Sequence, residues 1–167
     1  FVQMARDFSY PLDFGDSRQR KTPYRVLPQR EIEVRPPAVT YLESRHISRE
    51  ITERYQVTTR KDYPKILVFP FYDENNVLQF VKYRKTDFDP VRDKNKEWCE
   101  RNTMPILFGM NHCENFGTLV ITEGQIDSLS LAECGIKNAV SVPTGALGMT
   151  WLEHCWDWVT RFEEVVV

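Results

Sequence analysis

The chain has 167 residues, of which 41% are hydrophobic, 28% charged and 13% aromatic. That length suits one ordinary domain or two small lobes sharing a core. The apolar fraction excludes general disorder, and no apolar run approaches the roughly 18 residues of a membrane span. The net charge of -2 hides an asymmetry: residues 1–113 hold 20 Lys+Arg against 16 Asp+Glu, and residues 114–167 hold 2 against 8. A basic lobe beside an acidic one suits a polymerising enzyme, with one surface for polyanions and one cluster for divalent metal; it is also what ordinary surface variation produces.

The first residue is Phe1 rather than Met, which points to a start inside a longer protein, and the first residues lack the basic start and apolar core of a signal peptide. Cys99, Cys113, Cys134 and Cys155 lack the spacing of a zinc site. Cys134 and Cys155 fall in apolar helical patterns and are expected in the core. Free cysteines without a secretion signal point to a reducing, intracellular compartment.

In chain order, Phe1, Met4, Ala5 and Phe8 have helical spacing before Pro11. Residues 15–38 form a Pro-rich stretch with Arg18, Arg20, Lys21, Arg25 and Arg30, which reads as a basic arm on nucleic acid or as a solvated, extended connector. Val39, Tyr41 and Leu42 make one apolar helical face. Arg45-His46 is a turn, and Ser48 is the N-cap of a second helix over 49–55. The period then falls to two. Strands over 65–72 and 77–84 flank the turn Asp73-Glu74-Asn75-Asn76 and form a hairpin. Residues 85–104 are charged and weakly periodic, a loop closed by the short apolar turn Ile106-Leu107-Phe108-Gly109.

From residue 117 the pattern is strand 118–122, helix 125–134 with Gly135 as C-cap, and strand 138–142. The loop Pro143-Thr144-Gly145-Ala146, helix 150–161 and strand 162–167 follow. Buried strands alternating with helices make a parallel α/β sheet. Trp151 and Trp158 share a helix face and read as packing; Trp156 is off that face and marks an interface.

Ligands of parallel sheets bind at the carboxyl ends of the strands. Glu123 stands at such an end, followed by Gly124 where a tight strand-to-helix turn favours a residue without a side chain. A carboxylate there can bind Mg²⁺ or act as a general base. Asp127 falls in the first turn of the next helix, where a carboxylate suits the dipole whatever its role. Thr144 and Gly145 end the neighbouring strand; their backbone N–H groups can line a phosphate or metal site, or simply shape the turn. Lys82 and Arg84 share one strand face with Phe80. Arginine grips phosphate with two parallel bonds and lysine acts as a point charge. Tyr83, Phe88 and Trp98 can stack bases. The interleaved Asp87, Asp89, Asp93 and Glu97 instead suit a solvated surface loop.

The string Leu119-Val120-Ile121-Thr122-Glu123-Gly124-Gln125-Ile126-Asp127, with Val142-Pro143-Thr144-Gly145 after it, closely resembles the first half of a TOPRIM domain. In particular it resembles that of bacterial DnaG-type primases and phage primase-helicases. Upstream, Tyr41-Leu42-Glu43-Ser44-Arg45-His46 is similar to the helix-turn that opens the primase core, with His46 where the family often has Gly. Ile66-Leu67-Val68-Phe69-Pro70-Phe71 and Leu107-Phe108-Gly109 match in order and spacing. The similarity covers roughly 38–167.

The resemblance implies an α/β fold: an α+β N-terminal lobe over 38–113 and a partial TOPRIM parallel sheet with flanking helices over 114–167. Residues 1–37 would be a basic linker, its start the tail of an upstream zinc module. It implies a DNA primase core, which builds RNA primers on a single-stranded DNA template from ribonucleoside triphosphates with Mg²⁺ or Mn²⁺. Glu123 would be the TOPRIM glutamate, a general base or metal-site carboxylate. Gly124, Asp127, Thr144 and Gly145 would line the site, and Lys82, Arg84, Lys85, Lys94 and Lys96 would meet nucleotide or template phosphates. A replicative helicase is the expected partner, the compartment is cytoplasmic, and no membrane is involved. The family's remaining metal ligands are an Asp-x-Asp pair after the next core strand. None follows Glu123 here, and Asp87-Phe88-Asp89 lies upstream in the charged loop, so the pair is expected beyond Val167 and the chain alone is not expected to prime. The alternatives are another TOPRIM enzyme, a nuclease or topoisomerase, which the upstream helix-turn and hairpin argue against, and a non-catalytic nucleic-acid-binding module.

Overall fold

The structure, a computed structural model, describes residues 23–145 and 148–167. The apolar pattern at Phe1 to Phe8, the basic residues Arg18, Arg20 and Lys21, and Ala146 lie outside the described residues.

Helix α1 spans Pro36–Glu43 and α2 Arg49–Arg54. Pro36 and Pro37, read from sequence as part of the connector, form the first turn of α1, where the missing N–H is no loss and the fixed φ suits the helix. Ala38, Val39 and Leu42 are its buried residues. The chain then turns through His46 at φ +61°. That left-handed conformation favours glycine, and a side chain there costs about 1 kcal/mol. Ser48 caps α2 as expected, its hydroxyl accepting from the Ile51 N–H at 3.3 Å.

Strands β1 (Thr58–Thr59), β2 (Ile66–Tyr72), β3 (Leu78–Lys85) and β4 (Glu97–Cys99) form an antiparallel sheet in that order. The β2–β3 hairpin matches the predicted one within a residue. Strand β4 does not match: the 85–104 stretch, expected to be loop throughout, returns to pair with β3. Its register sets Lys82 opposite Cys99, Tyr83 opposite Trp98 and Arg84 opposite Glu97. Charge and aromatic pairs across strands, rather than an apolar alternation, hold it.

The two faces of this sheet differ. Leu67, Phe69, Phe71 and Phe80 enter the main core. On the other face Leu27 packs with Leu78 and Val81, against Val68, Tyr72 and Tyr83. Residues 23–35 therefore run over the sheet with specific anchors. The Gln29 side chain donates to the Leu78 carbonyl and accepts from the Leu78 N–H, and the Arg35 N–H donates to Thr58 Oγ1.

The second sheet is parallel, as predicted: β5 (Thr118–Thr122) lies between β6 (Ala139–Ser141) and β7 (Glu164–Val166). Helix α3 (Gln125–Glu133) follows β5, and α4 (Leu152–Val159) precedes β7. Trp151 occupies the cap position of α4 without a side-chain bond, so the helix starts later than the expected 150. Trp151 and Trp158 are buried, and the Trp158 indole donates to Asn115 Oδ1 at 2.7 Å. Cys155 is fully buried, but Cys134 is exposed. Cys134 is the C-cap of α3, where the helix has already left the core, so its expected burial fails.

The two sheets share one core. Phe108 makes an antiparallel bridge to Ser141 of β6, with N–H donors to carbonyls at 2.9 and 3.2 Å. Its buried ring meets Phe69, Phe71 and Tyr55 at centroid distances of 5.9, 5.2 and 5.6 Å. Gly109 follows at φ +91°, and a Cβ there would stand 3.1 Å from the Ala139 carbonyl. Two polar contacts add to the join: the Ser48 N–H donates to Glu133 Oε2 at 2.8 Å, and the Arg161 guanidinium pairs with both oxygens of Glu74. Among the described residues no helix is long and apolar enough to cross a membrane.

Two outcomes follow from this packing. In urea unfolding, Phe108→Ala should cost about 4 kcal/mol, and the exposed Cys134→Ser should stay within about 0.5 kcal/mol. His112, tilted against the Tyr55 ring at a centroid distance of 4.3 Å, is pushed down from 6.5 to about 4 by burial, with Arg54 adding to it. The unfolded chain therefore takes up a proton before the folded chain does. Stability should be full above about pH 6.5 and fall as pH drops toward 4, and His112→Phe should flatten that slope in pH-dependent melts.

Candidate active site

The strand–turn–helix around Glu123 is built from buried polar bonds. The Thr122 hydroxyl meets the Val140 and Gly124 carbonyls, each at 3.1 Å, which ties the end of β5 to β6 and to the turn. Gln125, almost wholly buried, donates to the Val142 carbonyl at 2.8 Å and to Ser141 Oγ at 3.1 Å. Glu123 stands between these two anchored residues with its side chain exposed. The arrangement holds a solvent-facing carboxylate at the carboxyl end of the central parallel strand. Thr122, Gln125 and Ser141 were not singled out from the sequence, because a buried polar residue at a strand end has no periodic signature.

Gly124 is not required by φ, and only the movable end of an exposed side chain fills the space beside it. A Cβ there would stand 2.6 Å from Asp127 Oδ2, because the Asp127 carboxylate turns back over the start of α3. The loop after β6 comes beside Glu123: a Cβ on Gly145 would stand 4.0 Å from Glu123 Oε1. Thr144 is exposed in that loop. The structure thus gathers Glu123 with Gly145, and Gly124 with Asp127, at one sheet end. An apolar cleft lined by Val142, Trp151, Trp156 and Val165 opens beside Glu123. Trp156, expected at an interface, is half-buried in that lining.

The basic residues of β3 form a second group, on the other sheet. Lys82 is only 5% exposed, far more buried than a residue on a solvated strand face. Its Nζ meets Glu97 Oε2 at 2.8 Å, and Arg84 Nη1 meets Glu97 Oε1 at 2.6 Å, so one carboxylate bridges both cations. Burial alone would raise the Glu97 carboxyl, but Lys82 and Arg84 together hold it below the usual carboxylate range. Lys85 pairs with Asp93, and that bond holds the Asp93 carboxyl down and the Lys85 ammonium up. Lys94 and Lys96 are exposed in the segment before β4. Tyr83 and Trp98, read as base-stacking candidates, stack on each other at 5.5 Å, and the Tyr83 hydroxyl donates to Glu100 at 2.8 Å. Burial, with that bond, pushes Tyr83 up to about 12. Phe88 is half-buried.

No protein-family model matches the chain. Over 106 residues, 64% of the chain, it is 34% identical to the Twinkle homolog protein, chloroplastic/mitochondrial, of Arabidopsis thaliana and 33% identical to the primase homolog protein of the same plant. It spans only 14% and 29% of those two relatives' lengths. Among solved structures, the primase fragment of the bacteriophage T7 primase-helicase protein superposes with a TM-score of 0.62 at 22% identity, over 98% of this chain and 64% of that one. The DnaG primase catalytic domain bound to single-stranded DNA superposes with a TM-score of 0.56 at 17% identity, over 78% of this chain and 54% of that one. The antiparallel sheet, the Phe108 join and the parallel sheet ending in Glu123 together have the fold of part of the primase catalytic core.

Proposed function

We propose that the chain is part of the catalytic core of a DNA primase, a nucleotidyltransferase that builds RNA primers on single-stranded DNA. The observation that carries this reading is the placement of Glu123: an exposed carboxylate fixed at the carboxyl end of the central parallel strand of a primase-core fold. The similarity to a plant primase homolog supports it, as does the fold shared with a DnaG catalytic domain bound to single-stranded DNA. In this reading residues 38–113 are the N-terminal lobe and 114–167 the first part of the TOPRIM domain. A longer protein built on this plan would carry a zinc module before them and work with a replicative helicase.

Glu123 would receive the proton of the attacking hydroxyl or share a divalent ion. Its fixed backbone keeps the carboxylate at the end of β5 beside Gly145, whose loop would supply backbone N–H groups to phosphate oxygens. A complete site of this kind would take Mg²⁺ or Mn²⁺, which would stabilise charge on the transferring phosphate. Among the described residues no three His, Cys, Asp or Glu side chains group as metal ligands. Glu123 and Asp127 alone therefore do not fit a magnesium site, and the reading requires further carboxylates from elsewhere in the longer protein. In this reading Arg84, half-buried on the same face as Lys82, Lys85 on the opposite face, and the exposed Lys94 and Lys96 are the phosphate contacts.

In the longer protein Glu123→Gln should lower primer synthesis on single-stranded DNA with ribonucleotides by at least about 100-fold without changing the melting temperature. Full activity in that variant would remove Glu123 from the chemistry. Arg84→Met should weaken binding of a labelled single-stranded oligonucleotide and reduce the slope of log affinity against log salt by about 0.7, the loss of one phosphate contact. An unchanged slope would remove the basic strand from the interface.

A further inference from the structure

The cations of β3 already meet anions, and they come from the chain itself. Glu97 holds Lys82 and Arg84 at 2.8 and 2.6 Å, and Asp93 holds Lys85. The geometry of the Glu97 group is specific. Lys82 sits opposite Phe69 on β2 and opposite Cys99 on β4, so its stem is enclosed by neighbouring strands. Its ammonium emerges under Glu97, whose side chain is 31% exposed against 7% for that of Lys82. Glu97 is thus the group between the Lys82 charge and water. A buried ammonium needs a partner, and this carboxylate is placed to be one. Arg84 is only partly used: its Nε is buried without a hydrogen-bond partner, and Glu97 engages Nη1 alone. An arginine in that state retains capacity for a further oxygen. Glu97 belongs to β4, a three-residue edge strand whose outer side is unpaired in the sheet order, and it follows the exposed Lys94 to Lys96 segment.

We propose that Glu97 is a positioning residue that occupies the phosphate-binding place of Lys82 and Arg84 and yields it to a nucleic-acid or nucleotide phosphate. This rests on the reading of β3 as a phosphate-binding strand. While no phosphate is bound, the carboxylate holds both the Lys82 ammonium and the Arg84 guanidinium. A phosphate oxygen arriving at Arg84 replaces one carboxylate oxygen, and Glu97 turns outward with β4 as its hinge. No covalent bond changes; one anion exchanges for another. The carboxylate therefore opposes weak anions, and only a ligand that brings several phosphates together displaces it.

The test is oligonucleotide binding by the 167-residue chain, with a fluorescein-labelled single-stranded DNA and with inorganic tripolyphosphate as competitor, at about 50 and 200 mM salt. Glu97→Gln keeps the shape and one acceptor but removes the competing charge. It should tighten DNA binding about fivefold at the lower salt and steepen the salt slope, and tripolyphosphate should compete at a lower concentration. A merely structural role would move the melting temperature and leave the salt slope unchanged. Because Glu97→Gln leaves Lys82 without a counter-charge, a second comparison uses a background without that ammonium. Lys82→Met/Glu97→Gln should bind more tightly than Lys82→Met, since Arg84 alone is then released. Equal or weaker binding by the Glu97 variants, while Arg84→Met still weakens binding, would overturn the role of Glu97 and leave the phosphate-binding strand standing. If Arg84→Met also has no effect, the phosphate reading of β3 fails, and the proposal falls with it.

Discussion

The bridge between Phe108 and Ser141 joins two sheets of different kinds on one core. Among the described residues, Leu27 covers the outer face of the antiparallel sheet, its inner face opens into the core it shares with the first two helices, and the parallel sheet has three short strands. Neither buries enough surface alone to offset the entropy of ordering its chain. Phe108 supplies what both lack. Its backbone pairs with β6, while its ring packs against Phe69, Phe71 and Tyr55 from the other lobe. The close approach of Gly109 to the Ala139 carbonyl keeps the same register. Because the core is continuous, the position of β5, and so of Glu123, is set by packing that reaches into the opposite lobe.

On that frame the two functional groups are held in opposite ways. Glu123 is exposed and rests on buried neutral hydrogen bonds from Thr122 and Gln125, which fix the backbone and leave the carboxylate free to meet a ligand. Lys82 is buried and rests on a charged partner at the sheet edge. A neutral, enclosed network resists rearrangement, whereas a carboxylate on an edge strand yields to a ligand that brings several phosphates. The carboxylate side is therefore the fixed part of the site and the basic side the adjustable part.

The sequence showed these parts unequally. Strand β5, the β2–β3 hairpin and the Ser48 cap were legible because each has a local signal: a buried apolar run, a period of two around an Asp-Glu-Asn-Asn turn, and a hydroxyl before a helix. Strand β4 was not, since Glu97, Trp98 and Cys99 have no alternation of their own and owe their place to partners about fifteen residues earlier. The same is true of Gln125, whose value lies in bonds to β6, and of Leu27, which reads as part of a connector until the sheet face it covers is seen. Cys134 failed the other way: the helical pattern that placed it inward ends one residue too soon. The Lys82 side chain was assigned the right face of β3, but the depth of that face depends on β2 and β4 together.

Hydrogen exchange of the backbone amides, with and without a single-stranded oligonucleotide, tests the division into a fixed and an adjustable side most directly. The amides of Phe108 and of residues 119–122 should exchange only through global unfolding in both conditions. Those of residues 86–99 should exchange through local opening in the free chain and change their protection when the oligonucleotide is added. Local opening of residues 119–122, or a 86–99 segment that is indifferent to the oligonucleotide, would contradict the account.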